Sequence, residues 1–198
     1  MTESFLDKVT FRPAKKDECR TIARLYSMSS DGVADYLWTT LAGEGEDVLN
    51  VGERRYSRED TPFSYRNCVI AKSGGEVAGM IAAFPMTAPE EKVTQPEPDP
   101  VLAPYGRLEC YNSYYIAGMA VFPEYRGQGI GTKFLEIASE KALSLGLPQL
   151  SLIVFEQNEG AKRLYERHGF YEIAREAVAP HELIHYTGYA LLMVKDIV

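Results

Sequence analysis

Residues Tyr125-Arg126-Gly127-Gln128-Gly129-Ile130-Gly131-Thr132 set three alternating glycines and one arginine just before an apolar-periodic run. Glycine has no Cβ and lets the backbone come close to a ligand, and the first N–H groups of a helix have no intrahelical acceptor. Those N–H groups, with the positive end of the helix dipole, favour a bound anion and phosphate above all. Arg126 adds a permanent charge and a planar fork of donors. The chemistry implied is phosphate recognition through the main chain from Arg126 to Thr132.

Spacing separates the phosphate motifs. The glycines at 127, 129 and 131 fail the second interval of the dinucleotide fingerprint G-x-G-x-x-G. A nucleotide P-loop needs Gly-Lys-Ser/Thr at the helix start, and here the order is Gly131-Thr132-Lys133. The pattern that remains, Arg/Gln-x-x-Gly-x-Gly/Ala, is filled by Arg126, Gly129 and Gly131. It resembles the acyl-CoA pyrophosphate loop of the GCN5-related N-acetyltransferase (GNAT) family. Met119-Ala-Val-Phe-Pro-Glu-Tyr-Arg-Gly-Gln-Gly-Ile-Gly is similar to that family's central strand and loop, and Asn158-Glu-Gly-Ala-Lys-Arg-Leu-Tyr-Glu-Arg-His-Gly-Phe170 to its following motif. The two motifs cover residues 113–170, in order, with one helix and one strand between them.

The resemblance implies that the N–H groups of Arg126, Gly127, Gln128, Gly129, Ile130, Gly131 and Thr132 cradle the CoA pyrophosphate. It implies that main-chain groups of Met119 and Val121 pair with pantetheine as an added strand would, with the Met119 N–H polarising the thioester carbonyl. Tyr165 corresponds to the tyrosine that protonates the departing thiolate in many relatives, a role a phenol can fill when its O–H points at sulfur. Asn158 either bonds pantetheine or caps the next helix. The implied reaction is direct transfer of acetyl from acetyl-CoA to a primary amine of a small molecule or peptide. The alternative is a non-catalytic acyl-CoA-binding module or regulator, because Tyr115 stands where many relatives carry a glutamate base. Glu109, Tyr115, Glu156 and water relayed by main-chain carbonyls remain open as the route for the amine proton.

Other chemistry is less well supported. His181 and His185 are four apart but lie in a stretch that reads as loop or strand, with no third ligand at a clear spacing, so no metal is expected. Cys110 has no His/Asp constellation to support a covalent acyl-cysteine. Tyr36, Trp38 and Phe63 fall in the region that walls the acceptor in the family's fold, although the helical spacing of Trp38 suits a core position.

The elements that must hold these residues follow from periodicity. A strand at 8–12 precedes a helix bearing Ile22, Leu25 and Tyr26, and a second helix carries Val33, Leu37, Trp38 and Leu41 until Gly43 and Gly45. Strands at 67–72 and 76–84 flank Ser73-Gly74-Gly75 as a hairpin. Six prolines between 85 and 104, with Glu90, Glu91, Glu97 and Asp99, oppose regular structure, giving a Pro-rich acidic loop at about 85–107 able to act as a lid. A strand at 113–122 leads to a helix at 130–145 with Ile130, Phe134, Ile137, Ala138 and Leu145 inward. A buried strand at 150–155, a helix with Ala161, Leu164 and Tyr165, and strands at 171–178 and 189–197 complete the chain. The expectation is one α/β (α+β) domain over 1–198, a mixed twisted sheet flanked by helices, with acyl-CoA in the splay between central strands.

Composition narrows the partners. The 198 residues carry a formal charge of −7, which opposes binding to nucleic acid or anionic membrane. Three cysteines without a C-x-x-C pair, and no apolar signal or spanning segment, give a cytoplasmic expectation. A homodimer is compatible with the family but has no motif.

Overall fold

The computed structural model describes residues 5–88 and 99–197. Residues 89–98, within the expected Pro-rich acidic loop, lie outside that set. Seven strands are ordered β1-β2-β3-β4-β5-β7-β6 in one sheet. They are β1 (Val9–Pro13), β2 (Cys68–Ser73), β3 (Glu76–Met86), β4 (Ser113–Val121), β5 (Gln149–Phe155), β6 (Tyr171–Ala177) and β7 (Tyr189–Asp196). β1–β2, β2–β3, β5–β7 and β6–β7 pair antiparallel and β4–β5 parallel, so the sheet is mixed, as expected. The helices are α1 (Cys19–Ser29), α2 (Val33–Leu41), α3 (Val48–Tyr56), α4 (Ala103–Gly106), α5 (Ile130–Ser144) and α6 (Glu159–Arg167).

The chain divides into two compact units. The first comprises Met1–Ala83 and Ala117–Glu136. Its core gathers Ile22 and Leu25 of α1, Trp38 of α2, Val51 and Tyr56 of α3, and Ile70 and Met80 of the hairpin, each at most 3% exposed. Burying side chains of this size contributes about 1.5–3 kcal/mol each, and the spacing of apolar positions on α1 follows directly from it. Phe11 of β1 meets Phe134 of α5 edge-on, with ring centroids 5.5 Å apart.

The second unit comprises Phe84–Ile116 and Ile137–Val198. β5 is a run of apolar and β-branched residues because it is a sheet interior: Leu150 faces Lys195 and Phe155 faces Ala190 across β7. Its parallel register with β4 runs from Tyr114↔Leu150 to Ile116↔Leu152. A buried Ser113–Ser151 hydroxyl pair at 2.6 Å satisfies two polar groups between these strands.

Three local expectations need correction. Leu145 is 44% exposed rather than inward, because α5 ends at Ser144 and its buried row is Ile130, Phe134, Leu135, Ala138 and Ala142. The segment at 85–107 contains a short helix, α4, whose start after Leu102 is stabilised by Asp99 accepting N–H bonds from Val101 and Leu102. Helix α3 was not expected: the reading ended the preceding helix at Gly43 and Gly45 and assigned no element before the strand at 67. Its start is nevertheless encoded: Asp47 caps it by accepting the Leu49 N–H at 2.9 Å.

Gly52 is required by packing rather than by conformation. A Cβ there would lie 2.6 Å from Cη2 of Trp38 and 2.9 Å from Cβ of Ala23. Gly52→Ala ordinarily gains about 1 kcal/mol in a helix, but overpacking a filled core costs about 1–3 kcal/mol. The expected outcome is a net loss of stability in urea unfolding; a gain would show that α3 does not press on Trp38.

Candidate functional site

In the first unit, β4 alternates buried Gly118 and Ala120 with half-buried Ala117, Met119 and Val121. The strand ends as Pro123 begins a single 3-10 turn, Pro123–Tyr125, closed by the Tyr125 N–H to the Phe122 carbonyl at 2.9 Å. The chain then extends at Arg126, turns through Gly127 and Gly129 at φ +72° and +85°, and enters α5 at Ile130. Side chains other than glycine rarely adopt these angles. Gly129 has a second reason: a Cβ would meet Cδ1 of Leu6 at 3.0 Å, so the N-terminal 3-10 turn Phe5–Lys8 lies against the loop.

The hydrogen bonds around this turn stop on either side of it. The Arg126 N–H donates to the Pro123 carbonyl at 3.2 Å and the Lys133 N–H to the Gly129 carbonyl at 3.0 Å. Among the described residues, the N–H groups of Gly127, Gln128, Gly129, Ile130, Gly131 and Thr132 donate to no protein acceptor. Six consecutive donors at a helix start, only one of them buried, are an arrangement chemically suited to an anion.

Arg126 is fixed in a way its sequence did not foretell. Its Nε donates to the Val121 carbonyl at 3.0 Å, back across the turn. This bond anchors the guanidinium at the end of β4, and its Nη groups donate to no acceptor among the described residues. It also engages a Val121 group that the sequence reading assigned to pantetheine, although a carbonyl oxygen keeps a second lone pair.

In the second unit, Asn158 caps α6. Its Oδ1 accepts the Ala161 N–H at 3.2 Å, which realises the capping half of the expectation for this residue. Tyr165 is 8% exposed on α6, and its ring lies 5.7 Å from that of Phe170. Gly169, at φ +86°, ends the helix.

The three side chains considered for the amine proton also fall in this unit. Tyr115 packs edge-on against Phe84 at 5.6 Å, and burial, with a smaller push from the Glu109 charge, raises its phenol to about 12. A phenol of that strength is protonated throughout the neutral range. Glu109 is exposed and accepts a hydrogen bond from Tyr111. Glu156 is ion-paired with Arg175 at 3.2 Å, and Arg175 also binds Glu172 at 2.6 Å.

Remaining candidates resolve simply. Burial raises the Cys110 thiol, and raises Cys19 to about 11, so neither is an activated nucleophile. His181 Nδ1 accepts the Leu183 N–H at 3.2 Å within a loop, and no group of three or more potential metal ligands occurs among the described residues. Trp38 is 1% exposed in the first unit's core, whereas Tyr36 and Phe63 are half-buried, with Phe63 6.0 Å from Tyr26. No helix among the described residues is long and apolar enough to cross a membrane.

The chain was compared with known proteins. Residues 34–170 match the model of the acetyltransferase (GNAT) family. The thialysine N-epsilon-acetyltransferase of Bos taurus is 30% identical over 172 residues, spanning 81% of this chain and 83% of that protein. A crystal structure of an acetyltransferase superposes with TM-score 0.65 at 21% identity, covering 96% of this chain and 100% of the other. A Salmonella typhimurium acetyltransferase structure with its cofactor acetyl-CoA has TM-score 0.62 at 16% identity, covering 96% and 95%. The family match over more than half of the sequence, and the relative of 30% identity that covers most of both chains, agree with the fold: this chain belongs to the GNAT family of acetyltransferases.

Proposed function

We propose that the protein transfers acetyl from acetyl-CoA directly to a primary amine of a small molecule or peptide. The observation that carries this reading is the row of six N–H donors at Gly127 to Thr132, beside an Arg126 held against the end of β4. Pyrophosphate is a dianion with acceptors on several sides, and it suits donors that have no other acceptor. The family match runs through residues of both compact units, which supports treating 1–198 as one domain.

Acetyl-CoA supplies the activated thioester. The main chain of Met119 and Val121 extends pantetheine along β4, and the Met119 N–H withdraws charge from the acetyl carbonyl as the amine attacks. Asn158 adds an amide contact to pantetheine beyond its capping role. The new C–N bond forms as the C–S bond breaks, the Tyr165 hydroxyl gives its proton to the departing sulfur, and the proton shed by the new amide nitrogen returns to Tyr165 through water. The amine reaches this point after losing its proton to water relayed by main-chain carbonyls, since the Tyr115 phenol is too weak an acid to stand as a base. The three unpaired thiols support a cytoplasmic location within the same reading.

Thiol release from acetyl-CoA with a panel of primary amines tests the reaction, and Tyr165→Phe tests its acid. The expected outcome is turnover that falls about tenfold or more in kcat with Tyr165→Phe, while calorimetry finds CoA affinity unchanged. No turnover with any amine despite tight CoA binding would instead support the non-catalytic acyl-CoA-binding alternative.

The pH profile separates Tyr115 from a base. Its raised pKa keeps the neutral form at every pH below about 12, so no ionisation of Tyr115 contributes to the rise of rate between pH 6 and 9. Tyr115→Phe is expected to leave the midpoint of that rise in place. A displaced or abolished rise would return Tyr115 to the proton path.

A further inference from the structure

Helix α3 ends in two arginines, Arg54 and Arg55, and Arg58 follows two residues after its last residue. Cations near a helix C-terminus are favoured by the dipole, which explains the composition but not the partners. Arg54 is paired with Glu46, and Arg20 and Arg66 are paired with Asp47 and Glu59. Arg55 and Arg58 have no acidic side chain beside them among the described residues, in a chain with 28 Asp and Glu. Instead, Arg58 Nε donates to the Arg55 carbonyl at 3.0 Å, which folds one guanidinium back toward the other.

Arg55 is half-buried, and its desolvation and the Arg58 charge both pull its guanidinium below the ordinary value. A half-buried cation beside a like charge is costly unless an anion offsets it. With Arg54, the pair lines a groove of about 190 Å³ whose apolar wall is Leu41, 49% exposed, and Val51. That volume falls below the roughly 300–1,000 Å³ of drug-sized sites. It suits a single anionic group on a short aliphatic stem.

Helix α3 is joined to β4 through two rings. Tyr56, next to Arg55 in α3, packs edge-on against Tyr26 at 5.4 Å, and the Tyr26 ring lies against Gly118, where a Cβ would be 2.7 Å from its Cδ2. Gly118 immediately precedes Met119. The helix that carries Arg55 therefore packs, through Tyr56 and Tyr26, on the strand assigned to the thioester.

We propose that Arg55 and Arg58 hold a carboxylate of the acceptor, so that the amine substrate is a small amino-carboxylic acid with an aliphatic stem lying against Leu41 and Val51. The acceptor role rests on the N-acetyltransferase reading above; anion binding at the groove does not.

Matched amines test this: lysine against 1,5-diaminopentane, and 4-aminobutanoate against butylamine, assayed by thiol release. The carboxylated member of at least one pair is expected to show about tenfold or greater kcat/KM. Arg55→Gln is expected to raise its KM about tenfold to hundredfold, the loss of a charge-assisted bond, with kcat within about twofold. Arg58→Gln acts in the same direction, Arg55→Lys restores part of the loss, and the partner lacking the carboxylate is unmoved. Equal effects of Arg55→Gln on both members, or none on either, would overturn the assignment. If no amine is acetylated although CoA binds, the N-acetyltransferase reading fails. Calorimetry of lysine and 4-aminobutanoate with the CoA-bound protein then decides the groove by itself. Binding that Arg55→Gln abolishes supports it, and absent binding, or binding indifferent to Arg55, overturns it.

Discussion

An α-helix cannot satisfy its own first N–H groups, and the site is arranged around leaving those of α5 without protein partners. Side-chain caps close other helices of this chain: Asp47 does so for α3 and Asn158 for α6. At α5 the residue before the helix is Gly129 in left-handed conformation, which brings no side chain that could accept. The donors of Gly127 to Thr132 therefore stay directed at whatever lies in front of the turn. A polar group with no partner is expensive when buried, and partial exposure to water makes the arrangement tolerable in the absence of an anion.

The first unit holds this turn steady from both sides. β4 feeds it from a strand whose Gly118 admits Tyr26, and Leu6 closes against Gly129 from the N-terminal turn. Arg126 is drawn to the strand end by the Val121 carbonyl, so its charge sits at a defined place instead of sweeping through solvent. A guanidinium with one N–H already committed loses less entropy on meeting an anion. The proposed binding turn is thus built from main-chain geometry, with one side chain adding charge to an otherwise acidic protein.

Much of this was legible in the sequence because the signals are local. Glycine spacing at 127, 129 and 131 separated this turn from other phosphate loops, and alternating or continuous apolar runs located β4 and β5. The Asn158 cap was readable as one of two roles, and Trp38 was readable as core from its spacing. What was missed depends on contacts distant in sequence. The packing of Gly52 against Trp38 and Ala23 has no local signature, and the Arg126–Val121 bond has no pattern in residue type. Leu145 misled because an apolar residue just past a helix end carries the same periodicity as one inside it. The pairing state of Arg55 and Arg58 is likewise invisible to composition, which reports charges but not their neighbours.

The account turns on the main-chain donors at the start of α5, and an amide-resolved NMR titration of the protein with CoA and with pantetheine observes them directly. CoA is expected to move the amide resonances of Gly127 to Thr132 strongly, because its pyrophosphate accepts from them, while pantetheine, which lacks that group, leaves them in place. CoA bound at saturation with those amides unmoved would contradict the assignment of the cradle.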